Sequence, residues 1–95
     1  MVELYIILVY DIVFDEGGSR VLRKVFNICK KYLHHIQNSV FEGELSKSQL
    51  KYLKSELEFL IRNDRDSLII FEQNSDKWIK KNFFGLKVDK TSNIL

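Results

Sequence analysis

The sequence predicts a single α+β domain, a ferredoxin-like β-α-β-β-α-β sandwich with a C-terminal extra strand, assembled as a homodimer. Three observations carry the fold. A near-continuous β-prone apolar run opens the chain at Leu4 to Val9. Two amphipathic helical patterns follow, each with apolar residues at three- and four-residue spacing. Short apolar runs separate and close these helices, so strand and helix signals alternate in the order of two βαβ-like halves. A chain of 95 residues holds one core, so residues 1–95 form one domain. Because that core is modest, dimerisation would add useful buried area.

Each element has its own signal. The run Leu4 to Val9, ending in Tyr10-Asp11, suits a central strand covered on at least one face. Asp15-Glu16-Gly17-Gly18-Ser19 is a flexible connector in which Ser19 is the candidate helix N-cap. Val21, Leu22, Val25, Phe26, Ile28, Cys29, Tyr32 and Leu33 then form the apolar stripe of the first helix. His35 to Phe41 alternates as a second strand, and Phe41 to Leu45 follows as a third, with a bend or bulge at Gly43. Ser46 to Gln49 has the spacing of a capping box, and Leu50, Leu53, Leu57, Leu60 and Ile61 mark a second helix ending near Asn63. Ser67 to Phe71 is the fourth strand. Lys77 to Phe84 is expected as a fifth, although its apolar spacing fits helix and strand equally poorly.

Composition narrows the function. With 45% hydrophobic and 29% charged residues the chain reads as an ordinary soluble globular protein. The apolar run at the N-terminus is too short to span a bilayer and lacks a basic leader, and the lone Cys29 excludes an internal disulfide. A cytoplasmic location with no membrane partner is the expectation. The net charge of +2 matters less than its distribution. Between Gly17 and Phe41 the charged side chains are Arg20, Arg23, Lys24, Lys30 and Lys31, with no acid among them. Asp11, Asp15 and Glu16 precede this stretch, and Glu42 and Glu44 follow it. A cationic helix beside carboxylates suits a protein that holds phosphates near a metal. Taken alone, the cations would more simply read as a solvated helix face.

An apolar strand ending in Tyr10-Asp11, a helix free of acids, then Gln37-Asn38-Ser39-Val40-Phe41-Glu42-Gly43 resembles the small CRISPR-associated ferredoxin-like nucleases, the "Cas two" proteins of spacer acquisition. The likeness runs from the first strand to Asn93-Ile94-Leu95. It implies a magnesium- or manganese-dependent phosphodiester hydrolase, an endonuclease acting on single-stranded RNA or duplex DNA. It also implies a DNA-binding scaffold for the CRISPR integrase subunit. Asp11 matches the family's catalytic aspartate and metal ligand. Tyr10, Ser39 and Phe41 belong to the same matched motifs. The C-terminal segment, about 76–95, would cross to the partner subunit and extend its sheet.

The residues themselves qualify these roles. One Asp is a poor magnesium site, whereas two copies of Asp11 facing each other across a twofold axis would share an ion. Tyr10 suits packing better than proton transfer, given its high ordinary pKa. Phe41 reads equally as core or interface, and Ser39 could orient a water or phosphate. Arg20, Arg23 and Lys24, with Lys30 and Lys31, are the candidate phosphate contacts, joined by Lys77, Lys80 and Lys81. His34 and His35 are adjacent and so point apart, which suits helix closure or a hydrogen bond rather than a shared ion. Cys29 lies on the apolar stripe and reads as core. The position where many relatives have glycine after Tyr32 is Leu33 here, which alters the helix exit only.

Two other readings remain open at this stage. A virulence-associated toxin ribonuclease has a similar fold and start, and would attack RNA and halt growth. A non-catalytic nucleic-acid-binding scaffold is the other; an RNA-recognition module of this shape would carry stacking aromatics on its first and third strands, which are lacking here. A small-molecule regulatory domain is unsupported, since no glycine-rich ligand loop is present.

Overall fold

A computed structural model of the chain describes residues 3–74 and 80–85. The elements are β1 (Glu3–Asp11), α1 (Gly18–Tyr32), β2 (His34–Gln37), β3 (Val40–Ser46), α2 (Lys47–Glu58) and β4 (Ser67–Gln73). The strands make one antiparallel sheet in the order β2-β3-β1-β4, so β1 is central and hydrogen-bonded on both sides. This is the ferredoxin-like arrangement that the element order predicts.

Alternation along β1 decides the two faces of the sheet. Leu4, Ile6, Leu8 and Tyr10 are buried under the helices, while Tyr5, Ile7 and Val9 point to the other side. Val25 and Cys29 from α1 and Leu50, Leu53 and Leu57 from α2 close the core with Phe41 and Leu45 of β3. The opposite face is partly exposed among the described residues. It carries Val9 beside Ile69 and Ile7 beside Phe71, and Ile69 and Phe71 are 53% and 55% exposed.

Local chemistry corrects several boundaries. Gly17, not Ser19, stands at the N-cap of α1, and no side chain caps that helix. The capping box of α2 is present: the Gln49 amide donates to Ser46 Oγ at 3.1 Å and the Ser46 amide donates to Gln49 Oε1 at 2.9 Å. α2 ends at Glu58 rather than Asn63, because the amides of Leu60 and Ile61 turn back onto the Leu57 carbonyl. Leu60 and Ile61 still pack on the core from this turn, which is why they continue the helical spacing.

The second and third strands are divided at Asn38-Ser39, not at Gly43. Asn38 adopts φ +36°, a left-handed conformation that Asn tolerates better than most residues, and the β2–β3 register shifts between His35 and Gln37. Gly43 is an ordinary ladder position opposite Ile6. A Cβ there would meet Leu33 Cδ2 at 3.1 Å, so glycine lets the buried Leu33 approach the strand. Of the expected extra strand over 76–95, residues 80–85 are neither strand nor helix. The rest of that expectation, including Lys77, lies outside the described residues.

Candidate nuclease site

Strand β1 delivers two neighbouring side chains to opposite environments. Tyr10 is 4% exposed and its ring lies 6.1 Å from that of Phe41, which is wholly buried. Burial, and then the nearby Cys29 thiol, push the Tyr10 hydroxyl up to about 12, so at neutral pH it is a protonated packing residue. Asp11, the last residue of the strand, is exposed on the side away from the helices and pairs in the ladder with Ser67 of β4.

A cleft of about 580 Å³ runs from Asp11 to the first turns of α1 and the β2–β3 turn. Its polar walls are Asp11, Ser19, Arg23, His35, Asn38 and Ser39; Ile12, Leu22 and Phe26 supply apolar ones. The structure therefore brings together Tyr10, Asp11, Arg23 and Ser39 among the expected residues. It adds Ser19, His35 and Asn38. Ser19 is free to face the cleft because it is not spent as a helix cap. The sequence carries no signal for that role, because Ser19 there reads as the cap itself.

The turn is held against the strand end. The Tyr10 amide donates to the Ser39 carbonyl at 3.1 Å, one step beyond the last β1–β3 ladder pair, Val9 and Val40. His35 Nε2 lies 2.9 Å from the Asn38 carbonyl, so that nitrogen donates and the ring is fixed across the turn. The same ring packs against Phe26 and Phe41, each at 4.9 Å between centroids. Phe41 thus supports the cleft from beneath without reaching it. His34 is exposed opposite Glu42, so the two histidines do diverge.

The cations of α1 do not act as one surface. Arg23 lines the cleft with Asp11. Arg20 is exposed one turn earlier, and Lys30 lies 5.6 Å over the Phe26 ring. Lys31 is committed to α2 through a 2.7 Å ion pair with Glu56, which also accepts from Tyr32 Oη. Lys24 borders a separate groove beside Glu56 and Phe59. Lys80 and Lys81 lie in the described C-terminal stretch, where Lys81 pairs with Glu42 at 2.5 Å. Cys29 is wholly buried and its thiol is pushed up to about 12 by that burial, which makes it an inert core residue.

Could these residues hold a metal? Asp11 presents an exposed carboxylate at a rigid strand end. Among the described residues no group of three or more His, Cys, Asp and Glu side chains is placed to hold an ion. A lone carboxylate falls short of the several oxygen ligands that a hard divalent cation takes.

Comparison with known proteins gives a consistent picture. Residues 4–81 match the family model described as CRISPR associated protein Cas2. The chain is 55% identical over 93 residues to the CRISPR-associated endoribonuclease Cas2 of Fusobacterium nucleatum subsp. nucleatum, covering 98% of this chain and 88% of that protein. It is 36% identical over 92 residues to the protein of the same name from Dictyoglomus turgidum, covering 97% and 100%. A crystal structure of a Cas2 protein superposes with a TM-score of 0.78 at 33% identity, covering 98% of this chain and 99% of that one. No helix among the described residues is long and apolar enough to cross a membrane.

Proposed function

The chain belongs to the CRISPR-associated Cas2 family, and from that premise we propose that it acts in CRISPR adaptation as a homodimeric, divalent-metal-dependent endonuclease. The observation that carries the reading is Asp11: an exposed carboxylate at the end of the central strand, sharing one cleft with Arg23. Relatives named as endoribonucleases support phosphodiester hydrolysis as the chemistry.

The exposed apolar residues on the sheet face away from the helices support the dimer. Asp11 lies on the same side of β1 as Ile7 and Val9, whose neighbours Ile69 and Phe71 are half exposed. A second copy covering this apolar face would bring its own Asp11 towards the first. The two carboxylates would repel unless they shared a cation, so they would hold magnesium or manganese between them. When bound, that ion supplies a water acidified towards neutral pH and charge neutralisation at the scissile phosphate. Arg23 grips a phosphate oxygen pair through its planar fork, and Ser19 adds a hydroxyl donor. Ser39 and Asn38 present polar groups to the nucleotide at the other wall. His35 keeps the turn in place through its bond to the Asn38 carbonyl.

A second reading is favoured by one observation: among the described residues no group of three or more His, Cys, Asp and Glu side chains could hold a metal. In it the protein binds duplex DNA as a scaffold for the CRISPR integrase subunit without cutting. Arg20, Arg23, Lys24 and Lys30 would then follow the phosphate backbone with little regard for sequence.

Labelled single-stranded RNA and duplex DNA, incubated with the wild type and Asp11→Ala in magnesium or chelator, separate these readings. Cleavage by the wild type in magnesium, lost by about a hundredfold or more in Asp11→Ala, is the expected result. Because Asp11 is exposed, the variant should melt within about 0.5 kcal/mol of the wild type. Equal binding of duplex DNA by both proteins, with no cleavage by either, would leave the scaffold standing and remove the nuclease.

A further inference from the structure

The loop that follows Asp11 is gripped by an ion pair from elsewhere in the chain. The Val13 amide, two residues past Asp11, donates to Asp66 Oδ1 at 3.0 Å. The Val13 carbonyl accepts from Arg62 Nη2 at 3.1 Å. Both polar groups of one peptide residue are thus held by two side chains of the α2–β4 connection.

The pair itself is built to be rigid. The Asp66 side chain is 0% exposed. It takes Arg62 in a two-pronged arrangement, Nε to Oδ2 at 2.7 Å and Nη2 to Oδ1 at 2.9 Å, with the Arg62 amide adding a third bond to Oδ2 at 3.1 Å. The remaining nitrogen, Nη1, reaches Asp15 Oδ1 at 2.6 Å, and Arg65 holds the other Asp15 oxygen at 3.1 Å. Asp66 also directly precedes Ser67, the ladder partner of Asp11.

The grip extends to the helix. A Cβ at Gly18 would lie 2.1 Å from the Val13 carbonyl oxygen, so the held carbonyl abuts the first residue of α1. Ser19 and Arg23, which face the cleft, start from that contact. A buried ion pair contributes little net stability compared with apolar packing, because desolvating both charges offsets their attraction. Fixing geometry is the better account of this one: it connects the strand that carries Asp11 to the helix that carries Arg23.

We infer that Asp66 and Arg62 are positioning residues of the nuclease site, setting the distance between the Asp11 carboxylate and the phosphate-gripping start of α1. The inference rests on the nuclease reading of Asp11 given above. Neither side chain lines the Asp11 cleft, so both act through Val13.

The test uses full-length protein with Asp66→Asn and Arg62→Lys. The first keeps an oxygen for the Val13 amide but removes the charge; the second keeps the charge but removes the fork. Amide hydrogen exchange of Val13 and Asp15 is followed by NMR, with Ile6 and Leu8 as reporters of the core. Initial rates of RNA and DNA cleavage in magnesium are measured on the same samples, with Asp11→Ala as the inactive reference. Exchange at Val13 should rise about tenfold or more while Ile6 and Leu8 stay protected. kcat should fall by about tenfold or more with KM within about threefold, since misplacement penalises the reacting geometry more than binding. Unchanged exchange at Val13 in both variants would show that there is no grip. A loosened Val13 with wild-type kcat would overturn the positioning role. If the wild type itself does not cut, the nuclease reading fails and the catalytic role falls with it, while Val13 exchange still decides whether the grip exists. Should Asp66→Asn not fold, Arg62→Lys decides alone.

Discussion

The amide of Tyr10 donates to the carbonyl of Ser39 at 3.1 Å, so the β2–β3 turn is fastened to the strand residue that immediately precedes Asp11. This one bond places the turn's polar atoms and the Asp11 carboxylate on a common rim. It depends on the left-handed conformation of Asn38, φ +36°, which directs the chain back towards β1.

Asn38 is therefore a conformational determinant of the cleft. Asn38→Gly should fold with stability near that of the wild type, whereas Asn38→Val should lose about 1–2 kcal/mol through crowding of its branched side chain. Urea unfolding of both variants checks this, and an equal loss in both would point to the side-chain amide instead of the backbone.

Phe41 belongs to the stretch through which the sequence resembles the family, yet its place is structural. It is wholly buried and touches the rings of Tyr10, Phe26 and His35. Phe41→Ala should cost about 3–5 kcal/mol, a large part of the stability of so small a domain. Phe41→Leu should retain cleavage at a lowered melting temperature. Loss of cleavage in a fully folded Phe41→Leu protein would show a more direct role.

Acid should release the Val13 grip. The Arg62 guanidinium, hydrogen-bonded to Asp66, holds its carboxyl well below the usual carboxylate range despite burial. A group depressed in the folded state stabilises fully above its unfolded pKa and loses that contribution as pH falls towards its folded value. Stability should thus be flat in this respect above about pH 5 and decline below about pH 4. Asp66→Asn should flatten that acid limb in urea titrations across the range. An unaltered acid limb would mean that other carboxylates, such as Asp15 and Glu56, dominate it.

The cations of α1 should separate in nucleic-acid binding. Arg23→Ala should weaken duplex DNA binding and reduce the salt slope by about one, as expected for a lost phosphate contact. Lys31→Ala should change the slope little, because its ammonium already pairs with Glu56. Fluorescence anisotropy at a series of salt concentrations distinguishes the two; equal slopes would show that the helix binds through a diffuse field.

The parts of this molecule legible in the sequence are those set by local chemistry. Ser46 and Gln49 declare the start of α2 by their three-residue spacing, and the apolar stem ending in Asp11 declares the central strand. The β2–β3 break was concealed because Ile36, Asn38 and Val40 keep a strand-like alternation through the turn. The end of α2 was concealed because Leu60 and Ile61 keep the helical spacing after the helix has stopped. Asp11 and Arg23 could be chosen for the site from residue type and family likeness, but that Lys31 faces away depends on Glu56, which is distant in sequence. Arg62 and Asp66 were missed altogether. In the stretch Arg62-Asn63-Asp64-Arg65-Asp66 they read as solvated turn charges, and only the tertiary contact with Val13 separates the buried carboxylate from its exposed neighbour Asp64.

The opposed fates of Tyr10 and Asp11 make β1 sensitive to its length as well as its composition. Insertion or deletion of one residue between Leu4 and Val9 would reverse the parity of every later position in the strand. The tyrosine would then be turned out of the core and the aspartate driven into it, among apolar neighbours such as Phe41 and Cys29. Substitutions in this strand can be graded by volume, but a frame slip cannot be repaired by any single one of them. The distance from the chain's first rung to its acidic tip is therefore a fixed count of peptide units, and natural variation in length has to be taken up in the loops.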